Sequence, residues 1–381
     1  MRIKLLQCGD LHLDAPFTSL ADTDNVGIDS KPEQRRNDLK LVLSRIVDTA
    51  VAHQVDLLLI CGDLYEHGCT RRSTFHYVCD IFKGIADIPV LIIPGNHDPL
   101  VPGSYYSDFK WPPNVHILSD SENFFEHKDG TRVYGSLPPV GSLDHSFINI
   151  LMYHGTLDMP FSTNAFAPIS SLELEAYGFD YCALGHFHTQ IDGAGPGRRI
   201  FNAGSPEPLG FDEEGHHGVI IATVEKETDG CNTKELKGQS SIRADFLELC
   251  TRRFISLDVP VTGCLDSEQA AIRISSHMEQ AGTYEDLYKI TMLGYAFQGL
   301  KFDTDFIGDF LKGKAFYIKL IDNTAPEYDF ESIAEEPGLR GLFVRKMLDK
   351  ALEATDTEEK ALIMQALYYG MEAIDEGKVC V

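Results

Sequence analysis

A chain of 381 residues is longer than one ordinary domain and points to two or three. With 43% hydrophobic and 24% charged residues it has the composition of a folded protein, and no apolar run approaches the ~18 residues of a membrane span, which argues against disordered and membrane-spanning classes. Its net charge of −25, spread along the whole chain, discourages non-specific binding to a phosphate backbone, so a nucleic-acid role has to rest on local basic patches or bound metal.

The first residues, Met1 to Cys8, turn polar too soon for a signal peptide. Nine scattered cysteines without a C-x-x-C pair fit a reducing cytoplasm better than a disulfide framework or a zinc finger. In chain order, apolar runs predict buried strands at 3–8, 56–61, 89–94, 115–118, 132–135, 147–153, 181–185, 199–203 and 219–224. Between the first two, Leu39, Val42, Leu43, Ile46 and Ala50 repeat at helical spacing, and a second helix is predicted from near Thr70 to Gly84. This alternation is α/β patterning. The polar stretch 226–241 reads as a hairpin or linker. Strand 254–259, helix 267–280, strand 287–294, helix 304–312 and strand 315–321 then make a small α+β unit. Residues 341–354 and 357–376 read as helices parted by the cap signal Thr355-Asp356-Thr357. The expected domains are 1–250, 251–325 and 326–381.

Five of the apolar runs end in titratable or amide side chains. Asp10 and His12 lie in Gly9-Asp10-Leu11-His12, Asp63 in Gly62-Asp63-Leu64-Tyr65, and Asn96 and His97 in Gly95-Asn96-His97-Asp98. His154 lies in Tyr153-His154-Gly155, and His186 and His188 in Gly185-His186-Phe187-His188. Strand ends gathered at one edge of a sheet are where α/β sites form, and glycine lets the backbone turn there so that side chains converge. Asp, His and Asn offer nitrogen and oxygen donors and no thiolate, which favours Mn²⁺, Fe or Zn²⁺ over a structural zinc. Asp-x-His and His-x-His in extended segments set both side chains on one side. Asp10, His12, Asp63, Asn96, His154, His186 and His188 are more donors than one ion needs, and a shared aspartate can bridge two ions ~3.5–4 Å apart, the spacing of two-metal phosphoesterase sites.

In this order, Gly-Asp-x-His, Gly-Asp-x-x, Gly-Asn-His-Asp, His-Gly and Gly-His-x-His resemble the calcineurin-like metallophosphoesterase superfamily. Three stretches narrow the likeness to the bacterial SbcD/YhaO-type DNA repair exonucleases. They are Gly62-Asp63-Leu64-Tyr65-Glu66, Pro94-Gly95-Asn96-His97-Asp98-Pro99 running on to Trp111-Pro112-Pro113-Asn114-Val115, and Ala203-Gly204-Ser205-Pro206-Glu207-Pro208-Leu209. The resemblance implies an α/β fold of the αββα sandwich type, with a small α+β capping domain and a helical C-terminal segment, which either docks a partner or packs back onto the 254–321 unit. It implies two divalent ions, Mn²⁺ first, with Fe or Zn as alternatives. Asp10, His12, Asp63 and His188 fall on one ion and Asp63, Asn96, His154 and His186 on the other, so Asp63 bridges. His97 is then catalytic, a general acid or transition-state stabiliser facing the leaving oxygen. Three residues after the bridging aspartate, archaeal and eukaryotic relatives carry a histidine where this chain has Glu66, which either orients His97 and holds it protonated or is merely solvent-exposed.

The implied function is a cytoplasmic DNA exonuclease or endonuclease of DNA repair, homodimeric and working with an SbcC-like coiled-coil ATPase. The acidic charge keeps a second reading open, a phosphodiesterase of small or cyclic nucleotides. A non-catalytic scaffold is disfavoured, because such scaffolds lose ligands and this chain keeps the whole set and His97. Among weaker features, Arg71-Arg72 is either a phosphate grip beside the metals or a solvated helix end. Lys31, Arg35 and Arg36 read as ordinary surface, and the aromatic stretch 105–111 as local packing rather than a stacking platform for bases. Cys8 and Cys61 read as buried strand residues, and His216-His217 beside Asp212-Glu213-Glu214 as an exposed turn.

Overall fold

β1 (Arg2–Cys8), α1 (Lys31–Ala52), β2 (Leu57–Cys61), α2 (Arg72–Lys83) and β3 (Val90–Ile93) open the chain as two strand–helix–strand units. They are followed by α3 (Tyr105–Asp108), β4 (Val115–Ile117), β5 (Phe125–His127), β6 (Thr131–Tyr134), β7 (Ile148–His154) and α4 (Ser171–Tyr177). β8 (Tyr181–Gly185), β9 (Ile191–Ala194), β10 (Ile200–Asn202), β11 (Gly218–Lys226) and β12 (Ser240–Glu248) complete a first unit that spans Met1–Phe254. The structure, a computed structural model, describes residues 1–20, 30–119, 124–159, 165–227, 240–297 and 299–376.

These strands form two six-stranded sheets, in the orders β12-β11-β1-β2-β3-β4 and β5-β6-β7-β8-β10-β9. β1 to β4 run parallel, as do β6, β7, β8 and β10. The sheets face each other. Ile3, Leu5, Leu57, Leu59, Leu91 and Ile93 of the first share one buried core with Val133, Ile148, Ile150, Met152, Tyr181 and Phe201 of the second. The two-residue period of a strand sends Leu6, Leu58, Ile60 and Ile92 to the opposite face, where they too are buried. α1, with Leu39, Val42, Leu43 and Ile46 buried, links parallel β1 and β2, and α2, with Phe75, Val78 and Phe82 buried, links parallel β2 and β3, the crossovers that cover a face of a parallel sheet. On the far face of the second sheet, Tyr134, Leu151, Cys182 and Leu184 form a further core with Leu174 of α4 and Phe179. Helix, sheet, sheet and helix are thus layered as the resemblance implies. Each buried leucine or isoleucine contributes about 1.5–3 kcal/mol, and their summed burial fixes where the strand ends fall.

The second unit, Ile255–Val381, is built from β13 (Phe254–Pro260), α5 (Ser267–Ala281), β14 (Leu287–Ala296), α6 (Thr304–Phe310) and β15 (Tyr317–Pro326), followed by α7 (Phe330–Glu335), α8 (Leu339–Glu353) and α9 (Thr357–Glu376). The sheet β13-β14-β15 shares a core with α5 and α6 through Val259, Ile274, Met278, Ile290 and Ile307. The last three helices close on Ile333, Val344, Leu367 and Met371. Tyr368 of α9 stacks on Tyr295 of β14 with centroids 5.9 Å apart, so this helical segment packs on the α+β portion of its own unit. Leu339, Leu352 and Leu362 stay exposed. No helix among the described residues is long and apolar enough to cross a membrane.

Periodicity does not reveal β5, β9, β12, α4 or α7. The stretch 226–241 lies between antiparallel partners, with Lys226 opposite Ser240, while residues 228–239 lie outside the described residues.

Candidate metal centre

The carboxyl ends of β1, β2 and β3 meet those of β7 and β8 at one edge of the sandwich. A buried polar stitch holds the two sheets together just below: Gln7 Nε2–H donates to Leu184 O (3.0 Å) and Phe201 O (2.9 Å), and Gln7 Oε1 accepts the Tyr181 hydroxyl (2.5 Å). Glycine permits the approach. A Cβ on Gly185 would stand 1.9 Å from Cys61 O, and one on Gly62, whose φ is +85°, would stand 2.3 Å from His154 Nδ1.

The turns after these strands put Asp10 (φ 50°), His12 (46°), Asp63 (50°) and His186 (91°) in the left-handed region, which costs a residue with a Cβ on the order of 1–3 kcal/mol. Backbone bonds between the first two turns hold this strain, from Asp10 N–H to Gly62 O and from His12 N–H to Asp63 O, both 3.0 Å. Fully buried Asp98 braces the third turn against the second: it accepts the N–H groups of Asp63 (3.1 Å), Leu64 (2.7 Å) and Gly95 (2.6 Å) and the hydroxyl of Tyr106 (2.5 Å). Burial, and then the charge of Asp63, push the Asp98 carboxyl up to about 7.

All seven donors named from the sequence come together. The ligating atoms of Asp10, His12 and His188 lie within 4.8 Å of one another, as do those of Asp10, Asp63 and His154, and those of His12, Asp63 and His97. His12 Nε2 faces His188 Nε2 at 3.2 Å. Asp63 Oδ2 lies 3.8 Å from His12 Nε2 and 3.3 Å from His154 Nε2, while Asp63 Oδ1 accepts the His97 N–H at 2.8 Å. Asn96 Oδ1 lies 2.9 Å from His154 Nε2 and 3.2 Å from His186 Nδ1, which joins His186 to the group. The family described as calcineurin-like phosphoesterase matches residues 3–190, the segment that carries every one of these side chains.

Residues 3–190 form a calcineurin-like metallophosphoesterase domain. The chain is 28% identical over 247 residues to the metallophosphoesterase YhaO of Bacillus subtilis, covering 58% of this chain and 57% of that one. It is 27% identical over 239 residues to the DNA double-strand break repair protein Mre11 of Saccharolobus solfataricus, covering 55% and 56%. To the SbcD component of the nuclease SbcCD of Staphylococcus epidermidis it is 23% identical over 197 residues, covering 41% and 52%. The chain thus spans little more than half the length of these curated relatives.

The metallophosphoesterase family uses a binuclear metal site, and the donors fit one. The deciding feature is how the imidazoles are turned. His12 Nδ1–H donates to Glu66 Oε1 and His188 Nδ1–H to Glu213 Oε1, each at 2.7 Å, while His154 Nδ1–H donates to Cys61 O at 2.8 Å. Each ring is held from behind, and its Nε2 is presented to the carboxylates, as metal-binding histidines are. Burial opposes charge on His154 and His188. The hydrogen bond to Asp63 and the charges of Asp10 and Asp63 nonetheless push His154 up to about 9, and Glu213, with Asp10 and Asp63, does the same for His188. Burial also disfavours the Asp63 carboxylate, but the hydrogen bond from His154 and the charges of His154 and His12 hold it down to about 2.

Glu66 is not a surface residue. Its Oε1 holds His12, its Oε2 lies 3.1 Å from His97 Nδ1, and these contacts keep its carboxyl below the usual range in spite of burial. Sequence reasoning misses Glu213 and Asp98, since each acts through a contact that spacing does not show. Ser205-x-x-x-x-x-x-x-Glu213 carries no period.

Five weaker sequence features resolve as follows. Arg71 caps the start of α2 with its side chain half exposed and forks onto Glu33 at 2.7 and 2.9 Å, a solvated helix end whose cation is already paired. Arg35 is fully buried, not surface, and His217 is buried between Ser205 and Glu213, not an exposed turn, although His216 is exposed. The aromatic stretch is local packing: Tyr105 stacks on Phe75 at 3.6 Å and Tyr106 on Trp111 at 6.0 Å. Cys8 and Cys61 are buried strand residues.

Proposed function

We propose that this protein is a two-metal phosphodiesterase that cuts DNA in repair, as exonuclease or endonuclease, together with an SbcC-like coiled-coil ATPase. The observation that carries the chemistry is the pair of imidazoles His12 and His188, fixed from behind by Glu66 and Glu213 and converging on Asp10 and Asp63. Asp10, His12, Asp63 and His188 would hold one ion, and Asp63, Asn96, His154 and His186 the other, with Mn²⁺ as the metal of choice. Two such ions supply Lewis acidity, polarising the phosphoryl group and making water a competent nucleophile near neutral pH. The protein's own groups do the rest. Asp63 spans both donor sets, with Oδ2 between His12 and His154. His97, left outside both donor sets and about half exposed, has its Nδ1 held by Glu66 and delivers a proton to the departing 3′ oxygen.

DNA as substrate, the ATPase partner, a homodimer and a cytoplasmic setting rest on the likeness to the SbcD and Mre11 proteins. The small α+β portion up to residue 325 serves as the capping domain, and α7 to α9, which leave Leu339, Leu352 and Leu362 exposed, take the partner. A rival substrate class, small or cyclic nucleotides, is favoured by the charge of −25 and by the pairing of Arg36 and Arg71 with Glu33. Purified protein with Mn²⁺, offered end-labelled duplex DNA, circular single-stranded DNA and bis-p-nitrophenyl phosphate, separates the two. Cleavage of the model ester without either DNA favours the small-substrate class, which a fourth arm with cyclic nucleotides then tests; cleavage of none of them sinks the phosphodiesterase reading.

A further inference from the structure

A second buried polar cluster joins the end of the first unit to the loop behind His188. Arg35, fully buried on α1, pairs with Asp38 at 2.9 Å and Glu207 at 2.5 Å and donates to Pro208 O at 2.7 Å. Glu207 is also fully buried, and its carboxylate accepts the backbone N–H groups of Thr251 (2.5 Å) and Arg252 (3.2 Å). Arg252 Nε–H reaches back to Asp38 at 2.9 Å. Two more contacts tie the same stretch of chain down. Leu249 and Cys250 N–H both donate to His217 O, at 3.0 and 3.3 Å, and Phe254 meets the Phe211 ring edge-on at 4.8 Å.

Glu207, Phe211 and His217 all belong to one loop, residues 204–217, and the same loop carries Glu213. Glu213 Oε1 accepts His188 Nδ1–H at 2.7 Å; Oε2 accepts the Ser205 hydroxyl at 2.9 Å and Leu209 N–H at 3.1 Å. His217 Nε2–H donates to Glu213 O at 2.9 Å, and Ser205 N–H to His188 O at 3.2 Å. The loop therefore grips His188 by ring and backbone on one side, and on the other grips residues 249–254, where the chain leaves the first unit. A buried carboxylate that loses one of its donors is left unsatisfied, so Glu207 resists small displacements and passes larger ones on.

We propose that Glu213 is the positioning residue that sets the His188 ring, and that loop 204–217 couples the path of the chain at 249–254 to that ring. A change where the chain leaves the first unit is then read as a change in the affinity of Asp10, His12 and His188 for their ion. The coupling rests on the two-metal reading and deepens it.

The test is a titration of the full-length, metal-stripped protein with Mn²⁺, following the free ion by electron paramagnetic resonance. Wild type binds in two steps. Glu213→Gln weakens one step by about 10–100-fold, the usual cost of losing a partner behind a metal-bound histidine, and leaves the other within about twofold. Glu207→Gln weakens that same step by about tenfold, and the double variant is no weaker than Glu213→Gln alone, since Glu207 acts through Glu213. Thr251→Pro removes one N–H from the cluster, together with the hydroxyl that Arg45 meets at 3.1 Å, while every buried charge stays, and weakens the same step; it decides the matter where Glu207→Gln does not fold. Additive losses, equal weakening of both steps, or an unaltered titration in Thr251→Pro overturns the coupling. Fewer than two steps in wild type overturns the two-metal reading itself.

Discussion

On the two-metal reading, Asp63 and His97 differ by one question, whether the side chain is shared between ions or only faces the reacting phosphate. Asp63→Asn is expected to abolish hydrolysis of bis-p-nitrophenyl phosphate and to cut metal content, because Oδ2 lies between His12 and His154. His97→Ala is expected to lower kcat by about 10²–10⁴-fold, the usual worth of a positioned proton donor, while both ions stay bound. Metal loss in His97→Ala with metal retained in Asp63→Asn would reverse the two roles. The imidazoles add a pH dependence. His154 and His188, pushed up to about 9 in the metal-free protein, hold their protons at pH 7, and an ion must displace them. Metal affinity should therefore climb as pH rises through that range, with about two protons released per protein on loading at pH 7. The stability sign is opposite without metal. Histidines raised on folding stabilise the metal-free fold fully below their ordinary value near 6.5, and that contribution is lost as pH rises through about 9. Release of no protons, measured with an indicator dye in weak buffer, would contradict these assignments. The donors themselves were legible because each cluster follows an apolar run and contains a glycine. Glu213, Asp98 and the burial of Arg35 and His217 were not, since a carboxylate's partner across the fold leaves no local trace.

The strands that carry donors were also legible: β2, β3 and β8 are buried throughout and read as unbroken apolar runs, and β1 and β7 are mostly apolar, interrupted by Lys4 and Gln7 and by Asn149. β12 was not. It is an edge strand whose residues alternate between exposed and half-buried, with Arg243, Asp245 and Glu248 among them, so it looks like solvent-facing loop. α4 is only a turn or two long, too short for a 3.6-residue period to stand out, yet its capping box, Ser170 with Glu173, was there to be found. How tightly the two sheets close at the site can be tested at the end of β8. In Gly185→Ala the new methyl would fall 1.9 Å from Cys61 O, so the sheets must part where Asp63 and His154 meet. The expected result is a loss on the order of 1–3 kcal/mol in folding stability, from overpacking, together with weaker metal binding. Gly68→Ala, where nothing lies within 4 Å, serves as the matched control and should change neither. A Gly185→Ala protein with wild-type Tm and metal content would show that the sheets do not approach so closely.

For the molecule as a whole, charge decides how it can meet DNA. The chain carries −25, and several of its cations are committed to its own carboxylates: Arg35 to Asp38 and Glu207, Arg36 and Arg71 to Glu33, and Lys226 to Asp180 at 2.8 Å. A cation already paired gives little when it meets a phosphate, because one favourable contact is exchanged for another. Binding by the isolated protein should then depend on the metal centre and on few phosphate contacts. The slope of log K against log salt, measured by fluorescence anisotropy with a short duplex, is expected at about −2 to −4, against roughly −0.9 for each phosphate neutralised. Removing metal should weaken binding more than doubling the salt does, since two divalent ions at the active centre offset local negative charge that the side chains cannot. A slope near −8, or binding indifferent to metal, would show a basic surface that the paired arginines do not provide, and the strength of DNA binding would then belong to this chain itself rather than to the proposed ATPase partner.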